Sequence, residues 1–150
     1  MAVVYESVTW SKIEHPLMDI LIIDFPNVYI SPRYKKSGNE AIRINIDSSE
    51  DIATTHNFEQ RLYNLTLRYY FEDVDITNMM ENESIKNKVD RLKKKFLDMI
   101  VTLPTSKHSG QWDEALVNTI TYDIQDDENE DNPDLYIVEL DCSIQHTYNH

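Results

Sequence analysis

Between Asp123 and Asp134 the chain places seven carboxylates in twelve residues: Asp123, Asp126, Asp127, Glu128, Glu130, Asp131 and Asp134. Carboxylates at this density suggest a calcium loop, since Ca2+ is held by roughly six to eight oxygen ligands. A frame opened at Asp127 puts Asn129 and Asp131 at the third and fifth ligand positions. It then fails where geometry is strictest: the sixth position is Asn132 instead of the glycine of the sharp turn, and the twelfth is Val138 instead of a bidentate Glu. The remaining reading is a solvated loop, extended by repulsion between like charges and joining two strands.

The other reactive side chains form no known constellation. His15, His56, His108, His146 and His150 are scattered, with no HExxH and no partner near the single Cys142. Neither a zinc site nor a thiol protease can be written from them. Cys142 falls on the apolar parity of its strand, which predicts a small core residue and not a thiolate. No GxSxG elbow is present, and only Gly38 and Gly110 are available, too few for a Walker loop or a GxGxxG turn. The residues therefore predict no catalytic centre, no metal and no cofactor.

With 27 acidic and 14 basic side chains the 150 residues carry a formal charge of −13. Such a field repels phosphate and anionic lipid, which argues against binding to nucleic acid by general charge attraction. The early apolar stretch Leu17 to Ile23 is short, contains Asp19 and lacks a basic leader, which predicts neither a secretory signal nor a membrane span. Length and apolar content fit one soluble, intracellular domain over residues 1–150, without repeats or a linker.

The elements that would position these residues can be read from periodicity. Val8, Ile13, Leu17, Ile20 and Leu21 recur at mixed helical spacings around Pro16, predicting a short, broken helix or arm. Asn27 to Ile30 is a brief β-prone run, and the chain reverses near Gly38. Ile42, Ile44 and Ile46 alternate with polar residues, then a loop is expected over Ser48 to Asn57. Tyr63, Leu65, Leu67, Tyr69 and Phe71 mark the clearest strand. After a loop from Glu72 to Glu83, Ile85, Val89, Leu92, Phe96, Ile100 and Leu103 form one stripe of a long helix, with Asn82 or Ser84 as N-cap and Pro104 as stop. A closing pair follows, with Leu116, Ile120, Tyr122 and Ile124 sharing one face and Tyr136, Val138, Leu140, Cys142 and Ile144 another. The predicted class is α+β: a mostly antiparallel sheet of four to five strands covered by one long amphipathic helix, with a short N-terminal helix or arm.

What remains is interaction chemistry. The exposed side of the long helix collects Lys86, Lys88, Arg91, Lys93, Lys94 and Lys95, six of the 14 basic residues. A solvated face is the plain reading; a subunit or partner interface through Lys86, Arg91, Lys93 and Lys94 is the sharper one. Arg68 and Tyr70 lie opposite the core parity of their strand, which predicts an outward contact pair. A basic helix and an acidic loop containing Asp126, Asp127, Glu128, Glu130 and Asp131 make a bipolar surface that favours head-to-tail association, closing into a ring when rotation permits.

This layout resembles the tail terminator proteins of long-tailed bacteriophages, also called tail completion or head-to-tail joining proteins. The resemblance rests on the N-terminal arm, the entry Phe25-Pro26-Asn27-Val28-Tyr29-Ile30, the long strand from Arg61 to Phe71, the single helix after it and the C-terminal strand pair. It covers most of the chain and is architectural, without an identifying motif. It implies a non-enzymatic virion protein of the tail or neck, assembled in the host cytoplasm. The family forms a ring, usually a hexamer, that caps the tail tube, ends its polymerisation and meets the head connector. DNA would pass without specific binding, no membrane would be involved, and the acidic loop would face the lumen or a neighbouring subunit. Other expectations left open are another neck or head-completion subunit and an acidic, DNA-mimicking inhibitor.

Overall fold

The computed structural model describes residues 9–30, 40–75, 77–99, 112–125 and 134–149. In chain order these form a π-helical segment Thr9–Glu14, α1 His15–Asp24, β1 Asn27–Ile30, β2 Ala41–Thr54, β3 Phe58–Phe71, α2 Met79–Leu97, β4 Trp112–Thr121 and β5 Tyr136–Asn149. Pro16 lies in the first turn of α1 directly after the π-helical segment, so the helical run changes its hydrogen-bonding pattern beside the residue that lacks an N–H, as the expected break around Pro16 requires.

The strands make one five-stranded sheet in the order β1-β2-β3-β5-β4. β2 with β3, β3 with β5 and β5 with β4 are antiparallel, whereas β1 runs parallel to β2 from Asn27 opposite Ala41 to Ile30 opposite Ile44. The architecture is thus α+β, and its sheet is mixed. Parallel pairing requires the chain to cross back to the start of the next strand, a direction that a four-residue β-prone run does not encode.

The apolar face of the sheet is not covered by one helix. Ile13, Leu17, Ile20 and Leu21 join Ile85, Val89, Leu92 and Phe96 of α2 in a single core over Ile42, Ile44, Leu65, Leu67, Val138, Leu140 and Ile144. Width explains the sharing: a helix with its side chains is about 10–12 Å across, while five strands at about 4.8 Å span roughly 20 Å. The α2 stripe follows the predicted spacing through Phe96; Ile100, Leu103 and Pro104 lie outside the described residues. The start of the helix is earlier than periodicity indicates. Asn78, not Asn82 or Ser84, is the cap, its Oδ1 accepting from the backbone N–H groups of Met80 (2.9 Å) and Glu81 (3.3 Å). The turn was hidden because Met79 and Met80 are exposed and contribute nothing to the stripe. Asn78→Ala is expected to cost about 1 kcal/mol in chemical denaturation, and Ser84→Ala a few tenths at most.

The expected loop from Ser48 to Asn57 is largely strand. β2 continues to Thr54, and the reversal is confined to Thr55–Asn57, where Thr55 N–H donates to the Phe58 carbonyl at 2.8 Å. Cross-strand bonds hold this polar stretch: Arg61 Nη2 donates to Ser49 Oγ (2.9 Å) and to the Ser49 carbonyl (3.1 Å), and Asn64 Nδ2 to Ser48 Oγ (3.1 Å). Two bulges, in which Asp47 and Ile52 are the extra residues, break the period of two that would have marked it. In β4 the extra residues are Asp113 and Asn118. They switch the inward set to Trp112, Ala115, Val117 and Ile120, so Leu116, expected on the apolar face, is 43 % exposed. Tyr136, Val138, Leu140, Cys142 and Ile144 of β5 share the core face as alternation predicts.

Candidate assembly surfaces

Opposite the helices the sheet presents a polar face whose side chains are aligned by register. One row across β2, β3, β5 and β4 is Arg43, Arg68, Glu139 and Thr121; the next is Asn45, Thr66, Asp141 and Thr119. Beyond these come Ser48, Asn64, Ser143 and Leu116, then Glu50, Leu62, Gln145 and Glu114. Arg43 and Arg68 lie directly opposite one another, an arrangement that is unfavourable unless an anion is close. Glu139 on the adjacent strand supplies it, its Oε2 accepting from Arg68 Nε at 2.8 Å with both side chains largely covered.

The second row is acidic. The bulge turns Asp47 onto this face, where its Oδ1 accepts from Asn45 Nδ2 at 2.8 Å and its Oδ2 from the Thr66 hydroxyl. Burial pushes the Asp141 carboxyl above the usual carboxylate range, and the charges of Glu139 and Asp47 push it further, partly opposed by a hydrogen bond from Thr66. A group of this kind favours the fold while protonated. That contribution is complete below the ordinary carboxylate pKa and is lost as pH rises through the raised value. Negative potential therefore concentrates where β2, β3 and β5 run side by side.

Tyr70 does not belong to an outward pair. It is 1 % exposed and packs with Ala41, Leu135 and Ile137, flanked by Tyr29 and Ile124, in a small apolar cluster on the helix-free side. Parity placed Tyr70 opposite the main core correctly but could not reveal that this side also closes at one end. Arg68 is on the same face, bound to Glu139.

The basic side of α2 is partly neutralised within the chain. Lys88 pairs with Glu40, Lys95 Nζ lies 2.7 Å from Asp24 Oδ2, and Lys94 Nζ lies 2.9 Å from Asp98 Oδ2. Arg91 Nη2 approaches Asp24 Oδ1 at 3.7 Å, with its guanidinium carbon 5.3 Å from the centroid of the Phe25 ring. The contacts of Arg91 and Lys95 hold the end of α1 and the entry to β1 against α2, and the hydrogen bond from Lys95 keeps the Asp24 carboxyl below its usual range. Lys86 and Lys93 are exposed, and among the described residues neither enters an ion pair. Asp126, Asp127, Glu128, Glu130 and Asp131 lie outside the described residues.

No catalytic arrangement emerges among the described residues. The Cys142 thiol is buried and pushed up to about 12, first by burial and then by the neighbouring Asp141 charge, so it is protonated at neutral pH. No group of three or more His, Cys, Asp or Glu side chains is placed to hold a metal ion among those residues, and no helix there is long and apolar enough to cross a membrane. The chain matches no protein-family model and no curated protein sequence.

Proposed function

We propose that this protein is a ring-forming structural subunit of a phage tail or neck, of the tail terminator kind, which caps the tail tube and joins it to the head connector. The observation that carries the reading is the division of the molecule into two unlike faces. Helices bury one side of the sheet, while the other has no helical layer among the described residues and carries Glu114, Glu139 and Asp141 against Arg43 and Arg68, with Asp47 and Glu50 further along β2 left for a neighbouring copy. A face of that sign turned toward a DNA passage repels phosphate at distances up to the Debye length, about 8 Å at physiological salt, and so does not retain a moving duplex. The helix side, with its paired and unpaired lysines, then faces outward or toward a neighbouring subunit.

In this reading the subunit is not an enzyme and needs no cofactor. It works in the virion by contact with itself, in a ring that we take as hexameric, with the tube protein and with the connector. Purified protein, alone and mixed with tail-tube protein, is expected to give closed rings or capped tubes in negative stain, with a matching mass by light scattering and no dependence on added metal. Monomers in both samples would remove the terminator reading.

A further inference from the structure

We infer that in such a ring the β2–β3 arm of one copy docks on the outer stripe of α2 in the next, placing Asp47 against Lys86, Glu50 against Lys93 and Ile52 beside Leu97. The inference rests on the ring reading and adds to it the two surfaces that meet.

Each half is present on the same chain and has no oppositely charged partner among the described residues. Lys86 and Lys93 are seven residues apart on α2, hence on one stripe and about 10.5 Å apart along the axis. Four residues further, Leu97 borders a concavity of about 400 Å3 that it shares with Asp90, Lys93, Lys94 and Asp98. On the arm, Asp47 and Glu50 lie on the helix-free side of β2 and are exposed, and no cation lies within ion-pair distance of them among the described residues. They are about 10 Å apart at the rise of a strand, and Ile52 follows about 7 Å beyond. The matching helix interval from Lys93 to Leu97 is about 6 Å. Charge and apolar positions therefore coincide in order and in spacing along both elements.

Ile52 is 45 % exposed, leaving apolar surface at the end of a charged strand that a neighbouring copy can cover. Exposed ion pairs add little affinity but set orientation and partner, whereas seating Ile52 in the concavity removes apolar surface from water. Because the two surfaces differ, the contact is heterologous and repeats around a ring instead of ending at a dimer.

The test is charge reversal with rescue. Asp47→Lys with Glu50→Lys, and separately Lys86→Glu with Lys93→Glu, are each expected to weaken assembly about tenfold or more in sedimentation and light scattering. All four substitutions together are expected to restore it to within about threefold of wild type. Because Asp47 also holds Asn45 and Thr66, a second measurement avoids altering it. The double variant Glu50→Cys, Lys93→Cys should give a ladder of covalent oligomers on a denaturing gel after reaction with a short bis-maleimide, which spans the Cα separation of an ion pair that a disulfide cannot, with the buried Cys142 not competing. Rings that form in wild type but give no ladder, or a fourfold variant that folds and stays dissociated, would overturn this interface and leave the ring reading standing. Wild type that never forms rings overturns both.

Discussion

Phe96→Ala is expected to lower the stability of the fold by about 3–5 kcal/mol, the cost of deleting a fully buried aromatic ring and leaving a cavity. Phe96 is 0 % exposed at the end of the α2 stripe, and its ring centroid lies 6.0 Å from that of Trp112, whose indole Nε1–H donates to the Lys12 carbonyl at 2.9 Å. One side chain thus links α2 to β4 and, through Trp112, to the segment before α1. The expected loss is several times that of removing the Asn78 cap, which decides that α2 is held by packing and not by its ends. Against a typical total of about 5–15 kcal/mol it consumes a large share. Urea denaturation followed by tryptophan fluorescence should show a lower midpoint at an unchanged slope. A loss below about 1 kcal/mol would mean that this end of α2 is not docked on the sheet.

The parts of this fold that were legible in the chain are those where one face is buried and the repeat is unbroken. Tyr63 to Phe71, Ile85 to Phe96 and Val138 to Ile144 bury the residues that their periods indicate, with Tyr136 partly buried against the same core. The arm from Ser48 to Thr54 reads as a loop in sequence because both of its faces are polar, and hydrophobic alternation cannot mark a strand held by Ser, Asn and Arg side chains. In β4 the period exists but jumps at Asp113 and Asn118, so counting by twos puts Leu116 on the core face, where it is not, and Ile120, past the second jump, where it is. Bulges leave no reliable signal in a single sequence.

The candidate surfaces divide in the same way. The basic composition of α2 was visible, but its neutralisation by Asp24 and Glu40 was not, since those partners lie far away in sequence and meet the helix only once the core has formed. That distinction changes which lysines can meet a partner: Lys86 and Lys93 gain weight, while Arg91 and Lys94 lose it. The polar positions Asn64, Thr66, Arg68, Glu139 and Asp141 could be assigned to the face away from the core from parity alone. Their lateral alignment depends on strand order and register, which is why the pairing of Arg68 with Glu139 and the proximity of Asp47 to Asp141 were not accessible.

That pairing supports the second large effect. Arg68→Met is expected to cost about 1–3 kcal/mol at neutral pH, between the small value of an exposed ion pair and the larger one of a buried pair broken on one side. The side chains of Arg68 and Glu139 are 15 % and 22 % exposed, which argues for the upper part of that range. Without the guanidinium, Glu139 keeps its charge beside Asp141 but loses its ion-pair partner, so the Asp141 carboxyl is raised further than in the parent protein. The sign follows from linkage: the folded variant holds that proton more tightly than the unfolded chain does, and its penalty shrinks as pH falls through the raised value. The stability difference between parent and variant should therefore be largest near pH 7 and narrow markedly toward pH 4. Adding Glu139→Gln should recover most of the loss at neutral pH, because the amide is neutral and keeps an oxygen acceptor. A deficit of the same size at both pH values, unrelieved by Glu139→Gln, would assign the effect to lost packing of the arginine stem and not to its charge.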